Sequence, residues 1–253
     1  MTVNAKAQIS KHVAFALTHP RDRTFFVVNA VVAWVAIVMG FSPGLLGHLS
    51  GATPFPPPIV HVHAVVFTGW LALFTAQIWM IRSRRVDIHR RLGLLGALMV
   101  PVVVMVGMVT NFVTQRIHLQ AGGLEPGFFI LAIVDMLRFT CLAGAGLLLR
   151  RHSAAHKRLL LLATVCLLDA GYGRWTNDWF LAKFGDNPVG FFGQLFFFVN
   201  CTIVIAMLYD LWTRRTVHPA YVAAVPFIVL TQVATSWIAY SDAWNSLARG
   251  LLE

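Results

Sequence analysis

The stretch "DIHRRLGLLGA" at residues 87–97 places a histidine and two arginines directly before a long apolar run. The stretch "AAHKRLLLLAT" at residues 154–164 repeats this order, with a histidine, two cations and a second apolar run. Cations beside an apolar segment are typical of a helix that enters a lipid bilayer, because arginine and lysine reach the lipid phosphates. The two stretches therefore predict that membrane-spanning helices are the building units of this fold.

The composition of the whole chain agrees with this prediction. Of the 253 residues, 58% are hydrophobic and 12% are charged, whereas soluble domains carry about 25% charged residues. Apolar runs of about 20 residues, long enough to cross a bilayer, occur at 24–42, 59–81, 92–113, 127–149, 157–177, 189–212 and 219–240. We therefore expect an all-α polytopic membrane protein with seven transmembrane helices, forming a single integral membrane domain over residues 1–253.

The cations predict how the chain is oriented in the membrane. They are concentrated in the amino-terminal segment 1–23 and in the loops after the second, fourth and sixth spans. Cytoplasmic loops carry the excess of lysine and arginine, so we expect a cytoplasmic amino terminus and an outside carboxyl terminus. The net charge of +10 then indicates contact with the anionic lipid bilayer, and no nucleic acid is expected as a partner.

An internal repeat predicts how the helices are arranged. Aligning "RRVDIHRRLGLLGA" (84–97) with "RHSAAHKRLLLLAT" (151–164) gives six identities in fourteen positions. The hairpins 59–113 and 127–177 are then two copies related by a pseudo-two-fold axis along the membrane normal. We expect a four-helix core from spans two to five, with the first span and the last two spans (189–240) outside it. Alternatively, two basic loops at the membrane surface resemble each other through composition alone.

The repeat places His89 and His156 at equivalent positions, at the cytoplasmic ends of spans three and five. A pseudo-two-fold axis would bring both imidazoles to the same depth on opposite sides of the bundle centre. A haem b with two histidine ligands needs this arrangement, with one imidazole from each of two helices. His89 and His156 are therefore candidate cofactor ligands. The alternative is that both are interfacial histidines facing lipid head groups or backbone.

A second set of polar side chains lies inside the predicted spans, where an ionised group costs about 2.5–3.5 kcal/mol on insertion scales. The set comprises His63 and Gln77 in span two, Asp135 and Arg138 in span four, and Asp169 and Arg174 in span five. Asp135 and Arg138 are three residues apart on one helical face and can pair directly. The set is either an ion-pair lock between helices or the lining of a polar cavity that opens outward. His63, Asp135 and Asp169 are suitable metal ligands, but their spacing does not require a metal.

Three stretches together resemble an uncharacterised family of bacterial seven-helix membrane proteins. They are "HAVVFTGWLALFTAQ" (63–77), "DIHRRLGLLGA" (87–97) and "AHKRLLLLATVCLLDAGYGR" (155–174), so the resemblance covers spans two to five. It implies a family and a location in the bacterial inner (plasma) membrane, but no activity.

The duplicated helix pair with histidines at helix ends is also similar in plan to the transmembrane di-haem cytochromes b, which pass electrons across membranes. That resemblance implies haem b, held by His89 and His156 as one of the two histidine pairs of that family. The second pair is incomplete, because the position in span four that corresponds to His63 is Ile130. The resemblance therefore implies one haem at most.

Three functions follow from these features, and the sequence leaves open whether the protein is an enzyme. The first is electron transfer through one haem b, with quinol or a partner protein as the donor. The second is binding or transport of a small polar ligand in the outward cavity. The third is a non-catalytic subunit or assembly factor of a larger respiratory or photosynthetic membrane complex.

Overall fold

The computed structural model describes Phe15 and residues 19–122 and 126–253. Within these residues the regular structure is nine α-helices and one short 3-10 turn at Pro126–Phe128. The helices are α1 (Asp22–Leu49), α2 (Pro58–Arg82), α3 (Val86–Gln120), α4 (Phe129–Leu148), α5 (Ser153–Cys166), α6 (Asp169–Phe184), α7 (Pro188–Arg214), α8 (Pro219–Ile238) and α9 (Asp242–Leu252). The protein is therefore all-α. Most of the predicted amino-terminal segment, residues 1–14 and 16–18, lies outside the described residues.

Six of the described helices are long and apolar enough to cross a membrane, namely α1, α2, α3, α4 with its 3-10 turn, α7 and α8. Helices α2, α4, α7 and α8 match predicted spans within two residues at each end. Helices α1 and α3 are longer than predicted: α1 continues through Pro43 to Leu49, and α3 runs from Val86 to Gln120. The chain is thus a polytopic helical membrane protein.

The predicted fifth span, 157–177, is not one helix but parts of α5 and α6. These have 14 and 16 residues, or lengths of about 21 and 24 Å, each shorter than a hydrocarbon core of about 30 Å. At the break, the N–H groups of Leu167 and Leu168 bond to carbonyls three residues earlier, at 3.1 Å. The Asp169 carboxylate accepts a hydrogen bond from the Ala170 N–H at 2.7 Å. Such local bonds compete with the regular helix ladder, which explains why α6 begins as a separate helix.

Proline and asparagine set several of the helix starts. Pro58, Pro188 and Pro219 are the first residues of α2, α7 and α8, where a missing N–H removes no helical hydrogen bond. The Asn187 side chain caps α7 by accepting from the Val189 N–H at 2.9 Å. These starts come directly after short connections, so neighbouring helices run antiparallel.

Helices α2 to α5 pack in sequence order, α2 on α3, α3 on α4 and α4 on α5. Trp70 of α2 closes the group by donating to the hydroxyl of Thr164 in α5 at 3.3 Å. The burial differs from the predicted core, however. Only 17% of the most apolar stretch of α2 and of α3 is buried, compared with 44% for α4 and α7. Helix α7, which contacts α5, α6 and α8, is therefore as central as α4. Helices α2 and α3 lie at the edge of the bundle.

Helices α1 and α6 approach each other at the level of their backbones. A Cβ atom added to Gly40 of α1 would lie 2.6 Å from the carbonyl oxygen of Gly171 in α6. A Cβ atom added to Gly171 would lie 2.8 Å from the carbonyl oxygen of Ala36. Small residues allow such close packing in membranes, so glycine is needed on both sides of this crossing.

Ion pairs join the helix ends that carry many of the cations. Asp22 at the start of α1 accepts from Lys157 of α5 at 2.6 Å and from Arg214 at the end of α7 at 2.7 Å. Arg158 of α5 pairs with Asp210 of α7. The starts of α1 and α5 therefore lie beside the end of α7. We call this the cation-rich end of the bundle, and the other the opposite end.

The last helix, α9, does not correspond to any predicted span. Its Ala248 and Leu252 are buried while Leu247 and Leu251 are exposed, so its two faces differ. Trp244 stacks on Phe129 at the start of α4, with ring centroids 6.1 Å apart. With 11 residues, α9 is too short to cross a bilayer and its two-faced pattern is typical of a helix lying along the membrane surface.

Candidate functional site

The imidazole rings of His89 and His156 lie next to each other at the cation-rich end. Each is the fourth residue of its helix, α3 or α5, and each is half-buried. Their ring centroids are 6.4 Å apart and the ring planes are inclined by 87°. Two imidazoles bound to one metal ion have centroids roughly 6 Å apart, because a metal–nitrogen bond is about 2 Å long. The observed separation matches two imidazoles on opposite sides of one metal ion, and it is also that of an edge-to-face contact between two rings.

Each ring has one nitrogen near a backbone carbonyl of the preceding helix. Nδ1 of His156 is 2.8 Å from the Gly146 carbonyl oxygen; because a carbonyl oxygen only accepts, Nδ1 is the donor of this hydrogen bond. The His89 ring lies within hydrogen-bonding reach of the Gln77 carbonyl, while its buried Nδ1 has no partner. A carbonyl that holds one ring nitrogen sets the tautomer and orientation of a metal-binding histidine. Each ring therefore has one nitrogen beside a backbone carbonyl and a second nitrogen that this carbonyl does not occupy.

Gln77 lies near His89, and not near the other polar residues predicted inside the spans. It lies fourteen positions along α2 from His63, a distance of about 21 Å. A Cβ atom added to Gly93, one turn after His89, would lie 3.9 Å from Nε2 of Gln77. The Gln77 side-chain oxygen is buried and has no hydrogen-bond partner.

The cations after the two histidines have different environments. Lys157 and Arg158, after His156, are paired with Asp22 and Asp210 as described above. The equivalent residues after His89, Arg90 and Arg91, are exposed. Because exposed guanidinium groups can bind anionic groups at the membrane surface, the pair on α3 is the one of these two pairs that is available to an anionic ligand.

Asp135, Arg138 and Asp169 form a compact buried cluster further along the bundle. Arg138 donates to Asp135 within α4, and the Asp169 carboxyl, at the start of α6, lies within hydrogen-bonding reach of Asp135. Their exposed fractions are 8%, 0% and 2%. The structure thus brings together three of the residues that the sequence selected, and encloses them between helices.

His63 and Arg174 lie nearer the opposite end. Arg174 is exposed, and its guanidinium carbon lies 4.1 Å from the centroid of the Phe41 ring. It acts electrostatically on both His63 and Asp169. The His63 ring stacks on Phe67 with centroids 3.9 Å apart. These two residues border the buried cluster without entering its hydrogen bonds. Across residues 19–122 and 126–253, no three His, Cys, Asp or Glu side chains gather as a metal site.

A polar network at the cation-rich end was not predicted from the sequence. Asp22 accepts from Tyr209 at 2.8 Å in addition to Lys157 and Arg214, and Asp210 accepts from Arg158 and from the His218 N–H. Asp22 and Asp210 are the acidic residues close to the ends of α1 and α7. In the sequence, the signal for this network was that Asp22 and Asp210 are acidic residues close to cations at the ends of spans.

His218 is expected to make the stability of this end of the bundle depend on pH. It is 9% exposed, and its Nδ1 caps α8 by accepting from the Ala220 N–H at 3.0 Å. Burial, helped by the positive charge of Arg158, lowers the pKa of His218 from its usual 6.5 to about 4. The unfolded chain therefore binds this proton more readily, and folded stability is lost as the pH falls below the usual value. We expect the free energy of unfolding to fall by about 2 kcal/mol from this group between about pH 7.5 and pH 5.

The matched variant for this prediction is His218→Asn. Asparagine keeps a side-chain oxygen that can accept the capping hydrogen bond, but it does not titrate. Unfolding of the two proteins in detergent at both pH values measures the difference. Equal losses of stability in the wild type and the variant would show that His218 is not the sensor.

Comparison with protein family models, with curated proteins and with solved structures found no match to this chain. The observed architecture, a helical protein with several membrane-type helices, is consistent with the family of uncharacterised bacterial membrane proteins that the sequence resembles. The similarity to cytochromes b stays a prediction.

Proposed function

We propose that this protein binds one haem b through His89 and His156 and transfers electrons in the bacterial plasma membrane. The observation that carries the proposal is the separation of the two rings, 6.4 Å between centroids, combined with a free nitrogen on each ring. The residues present fit the group, because two neutral imidazoles from different helices are the ligand set of a b-type haem.

We further propose that α5 and α6 act in series as a seventh crossing. Helix α5 starts at the cation-rich end, and α7, which begins four positions after Phe184 ends α6, returns to that end. The positive-inside rule then assigns the cation-rich end and the amino terminus to the cytoplasm. A duplicated hairpin is supported by the position of His89 and His156, each the fourth residue of its helix.

A bound haem b would supply an iron that accepts and releases one electron. The chain's own contribution is to hold both ligands still. The Gly146 carbonyl fixes the His156 ring through Nδ1, so that ring needs no reorganisation on ligand binding. Arg90 and Arg91, which are exposed at the same helix start, would neutralise the propionates. Lys157 and Arg158 would not, since Asp22 and Asp210 already occupy them.

The electron donor is proposed to be quinol or a protein within a larger membrane complex. The sparsely buried apolar surface of α2 and α3 supports contact with lipid or with such a partner. This edge also carries the start of α3, so a partner seated there would lie beside His89.

The proposal is tested by the absorption spectrum of protein purified after expression with added haem precursor. We expect an oxidised and a reduced spectrum of a low-spin b-type haem, with a stoichiometry near one haem per chain. His89→Ala and His156→Ala should each abolish this spectrum, because each removes one of the two imidazoles that would hold the haem.

His152→Ala is the matched control. His152 lies one turn before His156 in sequence and is exposed, so its removal should leave the spectrum unchanged. Colourless wild-type protein, or a spectrum that survives both ligand substitutions, would rule out this haem site.

A further inference from the structure

The cluster of Asp135, Arg138 and Asp169 has more hydrogen-bonding atoms than partners. Arg138 donates to Asp135 through Nη2, but its Nε and Nη1 groups are buried and have no partner. Asp169 accepts from the Ala170 N–H through Oδ1, while its buried Oδ2 has none. Buried polar atoms are rarely left unpaired. A proton on one carboxyl would pair the free Asp169 oxygen, whereas the Arg138 groups are donors, and the guanidinium carbon lies 5.0 Å from the centroid of the Phe196 ring.

The charges within the cluster do not balance either. Two carboxyl groups face one guanidinium group, and the two carboxyls lie within hydrogen-bonding reach of each other. Two carboxylates cannot hydrogen-bond to each other unless one of them carries a proton. In a site this enclosed, two like charges side by side do not both persist.

No other cation completes the cluster among the described residues. Arg174, on the next turn of α6, acts electrostatically on Asp169, but it is exposed, stacks over Phe41 and donates to the Ala170 carbonyl instead of to the cluster. Cys166, at the end of α5, is buried beside the cluster and brings no positive charge. His63 of α2 borders the cluster but takes no part in its hydrogen bonds. The charged residues of α1, α3 and α7 lie near helix ends, and α8 has none.

We propose that Asp135 and Asp169 together bind one exchangeable proton inside the membrane, with Arg138 as the counter-charge. The proton comes from water and forms the O–H bond of one carboxyl, which then donates to the other. The cluster is left with one positive and one negative charge. The break between α5 and α6 is part of the site, because it places Asp169 at a helix start beside α4. This site does not depend on the haem.

Infrared spectroscopy tests the proposal directly, using the full-length protein in an ester-free detergent near neutral pH. A protonated carboxylic acid has a carbonyl stretching band that ionised carboxylates lack, and this band shifts when water is replaced by D2O. We expect one such band in the wild type and its shift in D2O. Absence of the band, or its failure to shift in D2O, would overturn the proposal.

Two substitutions assign the band. In Asp135→Asn and in Asp169→Asn, the remaining carboxyl can pair with Arg138 as a carboxylate, so the band should disappear from each variant. Asparagine is a neutral isostere of the protonated acid, so both variants should fold. Asp87→Asn, at an exposed position of α3, is the control that should keep the band. A band unchanged in both cluster variants would contradict the assignment. The haem spectrum should persist in all three variants, which separates this test from that of His89 and His156.

Discussion

Replacing Arg158 with leucine is expected to lower the free energy of unfolding by about 3–5 kcal/mol. The Arg158 side chain is almost fully buried and donates to Asp210 through Nε at 2.8 Å and through Nη2. Its loss leaves the Asp210 carboxylate buried, with the Arg214 Nη1 at 3.7 Å as the remaining cation. An unpaired buried charge is far more costly than the pair is stabilising. Denaturation of detergent-solubilised protein with increasing SDS measures the change.

The double variant Arg158→Leu/Asp210→Leu separates the cost of an unpaired charge from that of lost packing. Removing both charges should recover most of the lost stability, because buried ion pairs are often no more stabilising than apolar residues of similar volume. Arg91→Leu is the matched control, since Arg91 follows His89 as Arg158 follows His156 but is exposed. Its change should stay within about 0.5 kcal/mol. Equal costs for Arg91→Leu and Arg158→Leu would show that the pairing has no special role.

Replacing Gly40 with leucine is expected to lower the free energy of unfolding by about 3 kcal/mol, at the upper end of overpacking costs. The first added atom would already lie 2.6 Å from the Gly171 carbonyl oxygen and 2.8 Å from its Cα atom. These are backbone atoms, so no side chain can rotate away and α1 must separate from α6.

Gly44→Leu is the control on the same helix, one turn further along α1. A Cβ atom there would meet nothing within 4 Å, so leucine should be neutral or slightly stabilising through its better helix propensity. Comparison of the two variants by SDS denaturation isolates the crossing. A Gly40 variant as stable as the Gly44 variant would mean that α1 and α6 do not need this close contact.

The membrane helices were predictable because each is encoded by neighbouring residues. An apolar run between polar flanks must satisfy its backbone hydrogen bonds internally, so run length predicts a helix and its ends. This is why 59–81 and 189–212 lie so close to α2 and α7. Hydropathy does not reveal the break within 157–177, because it is insensitive to the local bonds at Leu167 and Leu168 that end α5.

The candidate sites were less predictable than the helices, because most of their contacts join residues that are distant in the sequence. Asp135 and Arg138 are three residues apart on one helix, so their pairing follows from helical spacing alone. Gln77 was grouped with His63 because both lie on α2, yet its neighbours are at the histidine site. The ion pairs of Asp22 and Asp210 could not be predicted, because their cation partners are distant along the chain: Lys157 is 135 residues from Asp22.

The sequence alone determined that this chain is helical, that it belongs in a membrane, and that two similar histidine–cation stretches begin helices, because these properties depend on residues within a few turns of one another. The tertiary structure decided which groups meet: His89 with His156, Asp135 with Asp169, and Arg158 with Asp210. Such meetings depend on how helices rotate and pack against each other, and that is set by close contacts such as Gly40 on Gly171, which no local pattern of hydropathy records.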